Sequence, residues 1–262
     1  MAKKLGFALG AGGSRGVAHI GFLRAMEEEG IKPDYISGSS MGSVVGGCYA
    51  LGYSPDFMAK EIGGLKINEL LDLSFNPVGN GALLRAKKMR AKLETYLKAN
   101  TFNDAKIPFT CVAVDLLSGS VKLFSGDEKI IDGVVASSSI PGVFKPVAYD
   151  DMLLVDGGVR VRVPVDEVRE MGADVVVAVD VLGDVRPMGK KYHIASVLMR
   201  VGEIYDAELT KRKILDQKPD FYLTPDLGDM SQYKLKGIDY AIEAGYKLGK
   251  ENAEKIKKLL KK

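Results

Sequence analysis

Two short apolar runs near the start of the chain each break off in a glycine-bearing turn and resume at once with helical periodicity. "KLGFALG" (residues 4–10) runs into "GAGGSRG" (10–16) and then into "VAHIGFLRAMEEEG" (17–30), with Gly30 placed as a helix C-cap. "DYISG" (34–38) runs into "GSSMG" (38–42) and then into the mostly apolar "MGSVVGGCYALGY" (41–53). Two successive strand–turn–helix units predict parallel strands with helices on the sheet faces. The expected fold class is α/β, a three-layer α/β/α arrangement with a mostly parallel central sheet. Loops at the C-terminal ends of neighbouring parallel strands open on one edge, so the two glycine turns are expected side by side.

The remaining pattern extends that sheet. Residues 54–97 mix short helical turns with Gly, Asn and Pro, and "RAKKMRAKLETYLKAN" (85–100) predicts an exposed basic helix. "PFTCVAVDLLSG" (108–119) and "SVKLFSG" (120–126) predict a hairpin around Ser118-Gly119. "IIDGVVASSSIP" (130–141) reads as a small-residue helix ended by Pro141, and "DMLLVDGG" (151–158) as a strand running into a turn. "VPVDEVREMG" (163–172) predicts a helix, "ADVVVAVDV" (173–181) a buried strand, and "HIASVLMRVGEIYDAELTKRK" (193–213) a long amphipathic helix. "PDFYLTPD" (219–226) and a closing helix from residue 236 complete the chain. No repeat or linker interrupts it, so a single domain over 1–262 is the economical expectation.

The segment "GSSMG" carries Gly-x-Ser-x-Gly centred on Ser40, between a predicted strand and a predicted helix, as a nucleophile elbow requires. Gly38 and Gly42 suit the sharp turn. Ser40 would then stand at a helix N-terminus, where free N–H groups and the helix dipole favour negative charge. Ser39 and Ser43 are expected to be local caps. The other turn, Gly10, Ala11, Gly12, Gly13, Ser14, Arg15 and Gly16, has two readings. Gly10, Gly12 and Gly16 approximate a dinucleotide fingerprint, which is weak evidence by itself. Alternatively, the exposed N–H groups of Gly12 and Gly13 supply an oxyanion hole beside Ser40. The second reading accounts for both turns at once. Arg15 could hold a phosphate or pin the loop.

A serine nucleophile needs a base, and the chain has two histidines, His19 and His193. His19 falls on an apolar helix stripe and is expected to be packed. His193 completes the order Ser40, Asp156, His193 of α/β-hydrolases. The rival is Asp156 itself, at the end of "LLVDGG", with Gly157 and Gly158 leaving room for another backbone or a substrate. A solvated aspartate is a weak base, but partial burial raises its pKa, and contact with Ser40 would let it take the proton directly.

Taken together, these residues resemble the patatin-like phospholipase family. "GAGGSRG", "GSSMG", "ASSSIP" (136–141) and "DGG" (156–158) match its blocks in order, over about residues 4–181. The chain looks most like the small single-domain bacterial members. The resemblance implies a patatin-like fold and a Ser40–Asp156 dyad without histidine. It implies oxyanion donors around Gly12 and Gly13, and hydrolysis of lipid or lysophospholipid acyl esters without metal or other cofactor. Two departures stand out. Ala11 occupies a position usually glycine, which narrows the backbone choices there. Val161-Arg162 follows where many bacterial members carry Asn-Pro.

Composition sets the remaining bounds. A net charge of +3 over 262 residues gives no electrostatic footprint for nucleic acid. Cys48 and Cys111 lie in apolar runs and read as reduced core thiols. No window reads as a signal peptide or membrane span, so a cytoplasmic location with at most peripheral membrane contact is expected. The basic end "KIKKLLKK" (255–262) is a candidate for that contact or an ordinary solvated helix face. Residues 65–84, with Leu70, Leu71, Leu73 and Phe75 among turn residues, are a candidate lid or acyl channel. The sequence thus leads to a serine acyl-ester hydrolase. Two alternatives remain open: a His193-dependent α/β-hydrolase, and a non-catalytic nucleotide-binding or regulatory protein.

Overall fold

The computed structural model describes residues 3–64, 72–74, 79, 81–97, 101–187 and 193–261. Its strands are β1 (Leu5–Leu9), β2 (Tyr35–Ser39), β3 (Ala82–Leu84), β4 (Phe109–Asp115), β5 (Val121–Phe124), β6 (Gly142–Phe144), β7 (Val147–Tyr149), β8 (Met152–Asp156), β9 (Val175–Val179) and β10 (Phe221–Leu223). Its α-helices are α1 (Ala18–Glu28), α2 (Met41–Ala50), α3 (Pro55–Gly63), α4 (Lys87–Leu97), α5 (Ile130–Ser137), α6 (Val165–Glu170), α7 (Ile194–Gln217) and α8 (Ile238–Leu260).

The central sheet has the order β10-β9-β1-β2-β4-β8-β7, with β5 paired to β4. From β10 to β4 every neighbouring pair is parallel. β5 and β8 run antiparallel to β4. The β1–β2 register sets Leu9 opposite Gly38, so the two glycine turns leave one edge together. The hairpin forms as its sequence predicts, with Gly119 at φ +74.

Strand periodicity divides the core into two layers. Leu5, Phe7 and Leu9 of β1, with Val175, Val177 and Val179 of β9, join a large cluster with α1, α2, α5 and α8. Ala8, Val176 and Ala178 face the other way, toward α6 and Ile214 of α7. Three layers result. On the larger face α1 and α8 pack very closely: a Cβ placed on Gly245 would lie 1.9 Å from the Ala18 carbonyl oxygen.

Several expectations change in detail. The helix carrying "ASSSIP" ends at Ser137, before Pro141, and two short strands, β6 and β7, follow it. The period-2 signal of such three-residue strands is too short to read. Most of the candidate lid at 65–84 lies outside the described residues. Among those described, no helix is long and apolar enough to cross a membrane.

Candidate active site

Ser40 sits between β2 and α2 with φ 53 and ψ −124, a left-handed conformation unusual for a non-glycine residue. The strain is held from several sides. The Ser40 carbonyl accepts from Ser43 Oγ at 2.6 Å and from the Ser43 N–H at 2.8 Å. The Ser40 N–H donates to Ser137 Oγ at 2.9 Å. Gly42 packs directly on the end of β1, where a Cβ would lie 2.0 Å from the Leu9 carbonyl oxygen. Ser40 Oγ makes no capping bond to α2 and is left for other work. Ser43 is thus a brace within α2 and not the cap expected of it. Ser39 is not a cap: among the described residues its buried hydroxyl has no partner, and it lies against Gly157.

An antiparallel strand brings the aspartate. Val112 of β4 pairs with Ser39 of β2, and the next residue, Ala113, pairs with Asp156 of β8. β5 occupies the other side of β4 at both positions. β2 and β8 therefore share one side of β4 and meet end to end. Asp156 Oδ2 accepts a hydrogen bond from Ser40 Oγ at 2.5 Å, and Oδ1 accepts from the Gly158 N–H at 2.7 Å. The Asp156 N–H donates to the Ser139 carbonyl at 2.9 Å. Gly157 must be small, because a Cβ there would lie 2.3 Å from the Val112 carbonyl oxygen. "ASSSIP" thus gains a physical role: Ser137 holds the serine turn and Ser139 the aspartate.

Asp156 is buried, and no cation pairs with it among the described residues. Burial pushes its pKa up to about 7; the hydrogen bonds from Ser40 and Gly158 pull the other way, and the Asp206 charge adds a further push upward.

The glycine loop lies beside this pair. The Gly10 N–H donates to the Val179 carbonyl and the Ala11 N–H to the Arg162 carbonyl, at 3.0 and 2.8 Å. The Ser14 N–H is taken by Gln232 at 2.9 Å. Among the described residues, neither the Gly12 nor the Gly13 N–H has a protein acceptor. Gly13 and Ser14 line the same cavity as Ser40. Ala11 is not at positive φ, so alanine costs the loop nothing there; its methyl rests on Gly158. Arg15 is buried and donates from Nη1 to the Leu182 carbonyl at 3.1 Å, so it pins the loop.

The histidines separate cleanly. His19 is fully buried, and its Nε2 bonds the Gly10 carbonyl at 2.8 Å. Burial lowers its pKa to about 4, so it is neutral and braces the loop from behind. His193 is an exposed N-cap of α7, where Nδ1 accepts from the Ser196 N–H at 3.2 Å. Neither ring bonds Ser40 or Asp156.

A cavity of about 860 Å³ opens from Ser40. Met41, Val44, Met58, Leu93, Ile140 and Phe144 give it a mainly apolar wall. α4, expected to be simply exposed, turns Met89, Leu93 and Tyr96 into this cavity. Among the described residues no group of His, Cys, Asp or Glu is arranged to hold a metal ion.

A second buried polar centre adjoins the first. Arg162 Nε and Nη2 meet the Asp180 carboxylate, each at 3.0 Å, and Nη1 meets Asp206 at 3.3 Å. Tyr222 also donates to Asp180. The Val161-Arg162 departure is therefore a buried clasp joining the glycine loop, β9 and α7. Sequence spacing alone gave no signal for it, because its partners lie far apart along the chain.

A family model described as patatin-like phospholipase matches residues 7–169. An uncharacterized NTE family protein of Mycobacterium tuberculosis is 38% identical over 183 residues, which cover 69% of this chain and 49% of that protein. The lysophospholipase NTE1 of Scheffersomyces stipitis is 29% identical over 184 residues, 68% of this chain and 12% of its own length. The chain spans about half the length, or less, of these curated relatives. The crystal structure of VipD from Legionella pneumophila superposes with a TM-score of 0.59 at 13% identity, covering 97% of this chain and 67% of that one, a likeness of fold alone.

Proposed function

Because this chain belongs to the patatin-like phospholipase family, we propose that it is a serine acyl-ester hydrolase of lipids or lysophospholipids, working through Ser40 and Asp156. The observation that carries this reading is the 2.5 Å hydrogen bond from Ser40 Oγ to a buried carboxylate that, among the described residues, has no cation beside it. A carboxylate whose pKa rests near 7 is matched to general-base work at neutral pH.

In the first half-reaction Ser40 Oγ attacks the ester carbonyl carbon while Asp156 takes the hydroxyl proton. The oxyanion is received by the Gly12 and Gly13 N–H groups. The carbonyl re-forms, the C–O bond to the alcohol breaks, and Asp156 returns the proton to the leaving oxygen. An acyl-Ser40 ester remains. In the second half Asp156 takes a proton from water, the hydroxyl adds to the acyl carbon, and the acid departs as Ser40 regains its proton. The apolar cavity receives the acyl chain. The lysophospholipase name of one relative supports a single-chain lipid, delivered at a membrane surface to a protein expected to be cytoplasmic.

His193 lines the same cavity as Ser40, but the Ser40–Asp156 contact favours the dyad reading over it. Both Asp156 oxygens are engaged elsewhere, and His193 serves as a helix cap. Fluorophosphonate labelling, followed by hydrolysis of p-nitrophenyl esters of graded chain length, tests the proposal. Ser40→Ala and Asp156→Asn are expected to abolish turnover while His193→Ala retains it. Loss of activity in the His193 variant, or no labelling of wild type, overturns it.

A further inference from the structure

α7 is built inside out. Apart from Met199 and Ile214, its inward stripe is polar: Arg200 reaches the Arg186 carbonyl, Glu203 accepts from Gln232 and Tyr233, Asp206 pairs with Arg162, and Lys213 donates to the Arg160 carbonyl. Thr210 is its one buried residue among those described. Over residues 194–205 the outward stripe is apolar. Ile194 is 82% exposed, Leu198 66% and Tyr205 73%, with Val197, Val201 and Ile204 also open. Soluble helices place such stripes inward. A contiguous apolar face left in water marks a contact surface.

Position identifies what covers it. The inner side of the same turns, through Ser196, Met199, Arg200 and Glu203, walls the cavity that holds Ser40. More exposed apolar side chains border the same edge of the sheet. Val159 follows Asp156 by three positions, and Leu116 and Leu117 follow Asp115, which pairs with Leu154. Arg160 links these turns to α7, donating to the Gly119 carbonyl and accepting from Lys213. At the opposite edge, the N-terminal end of β1 carries the Lys4–Asp34 ion pair and the Lys4 N–H bond to Asp174. The exposed apolar stripe and one wall of the cavity that holds Ser40 are thus two sides of the same helix.

We propose that residues 194–205 of α7 dock on a lipid surface, with Ile194, Leu198 and Tyr205 seated at the acyl–headgroup boundary. This rests on the lipid-hydrolase reading above. Docking by this stripe would set the helix that walls the Ser40 cavity against the surface that supplies its substrate. The outward apolar stripe carries no charge until Glu208, so insertion, not attraction to anionic headgroups, drives the docking.

The chain contains no tryptophan, so Tyr205→Trp gives a single reporter. Its emission is expected to shift to the blue on adding phosphatidylcholine vesicles, and to stay shifted at about 0.5 M salt. Co-sedimentation of the triple variant Ile194→Ser, Leu198→Ser, Tyr205→Ser with these vesicles is expected to fall roughly tenfold or more. Its hydrolysis of a short soluble p-nitrophenyl ester should match wild type, which also reports that it has folded. Unchanged tryptophan emission, or full vesicle binding by the triple variant, overturns the proposal. So does a wild-type dimer that the triple variant abolishes, or binding that requires anionic lipid and vanishes in salt. Absence of soluble-ester hydrolysis in wild type would sink the hydrolase reading, while the emission and sedimentation readouts still decide the docking.

Discussion

Asp156 closes β8 and Asp180 follows β9, both at one edge of the sheet and both buried. They meet opposite company. Asp180 receives Arg162 through two nitrogens, with Tyr222 as a further donor. Asp156 receives one hydroxyl and one backbone N–H and no cation. Burial alone therefore does not decide what a carboxylate does. Neutralised by a guanidinium, it is a strut; denied one, it keeps its proton up to about pH 7 and can exchange it with a hydroxyl.

Replacing Asp156 by Asn tests the active member most severely. Turnover is expected to fall at least about a thousandfold, because the base is gone while the shape remains. Stability should move the other way. Asp156 has a folded-state pKa near 7 against 3.8 unprotected. Between those values the folded chain holds the proton more tightly than the unfolded one, so wild-type stability falls as pH rises through the window. Above about pH 7 the cost is fully present, on the order of 4 kcal/mol at most. Urea melts at pH 5 and pH 8 should show Asp156→Asn more stable than wild type at the higher pH and lacking most of the decline. Wild-type activity should rise about tenfold per pH unit up to about 7 and then level. Variant turnover near wild type would break the contrast between the two aspartates.

Much of the active centre was legible because its chemistry is local. A strand, a Gly-x-Ser-x-Gly turn and a helix follow one another directly, and the φ of Ser40 is what that turn demands. The two glycine turns share an edge because parallel pairing puts them there. The direction of β8 was not legible, since "MLLVD" is an apolar run with no alternation to set its sense. Asp156 reaches Ser40 only because β2 ends opposite Val112 of β4 and the antiparallel β8 ends opposite the next residue, Ala113. The duties of Ser137 and Ser139 depend on contacts about a hundred and about twenty residues away along the chain. α7 misled in another way: its periodicity announced a helix but could not say which stripe faces the protein.

The structural member is probed by Arg162→Leu. The buried Asp180 and the half-buried Asp206 lose their counter-ion, and the expected loss of stability is about 3–5 kcal/mol. Removing the Asp180 charge as well, in Arg162→Leu with Asp180→Leu, should recover part of that loss, because no unpaired charge then remains at that position. Denaturant midpoints at pH 7 report both variants. A single variant that melts within about 0.5 kcal/mol of wild type would show that the clasp contributes little.

The smallest effect joins the two centres. Asp206 pairs with Arg162 and Thr210, and burial raises its own pKa to about 6 while Arg162 opposes the rise. Its negative charge is also one of the influences that hold the Asp156 proton in place. Once ionised, Asp206 opposes the loss of the Asp156 proton. Asp206→Asn removes the repulsion, so the midpoint of the activity–pH profile should move to lower pH by a fraction of a unit, with the plateau rate preserved. The direction matters more than the size. Loosening of α7 would lower the plateau and leave the midpoint in place, whereas electrostatic coupling moves the midpoint alone. A midpoint that stays fixed, or moves upward, would mean that the two carboxylates titrate independently.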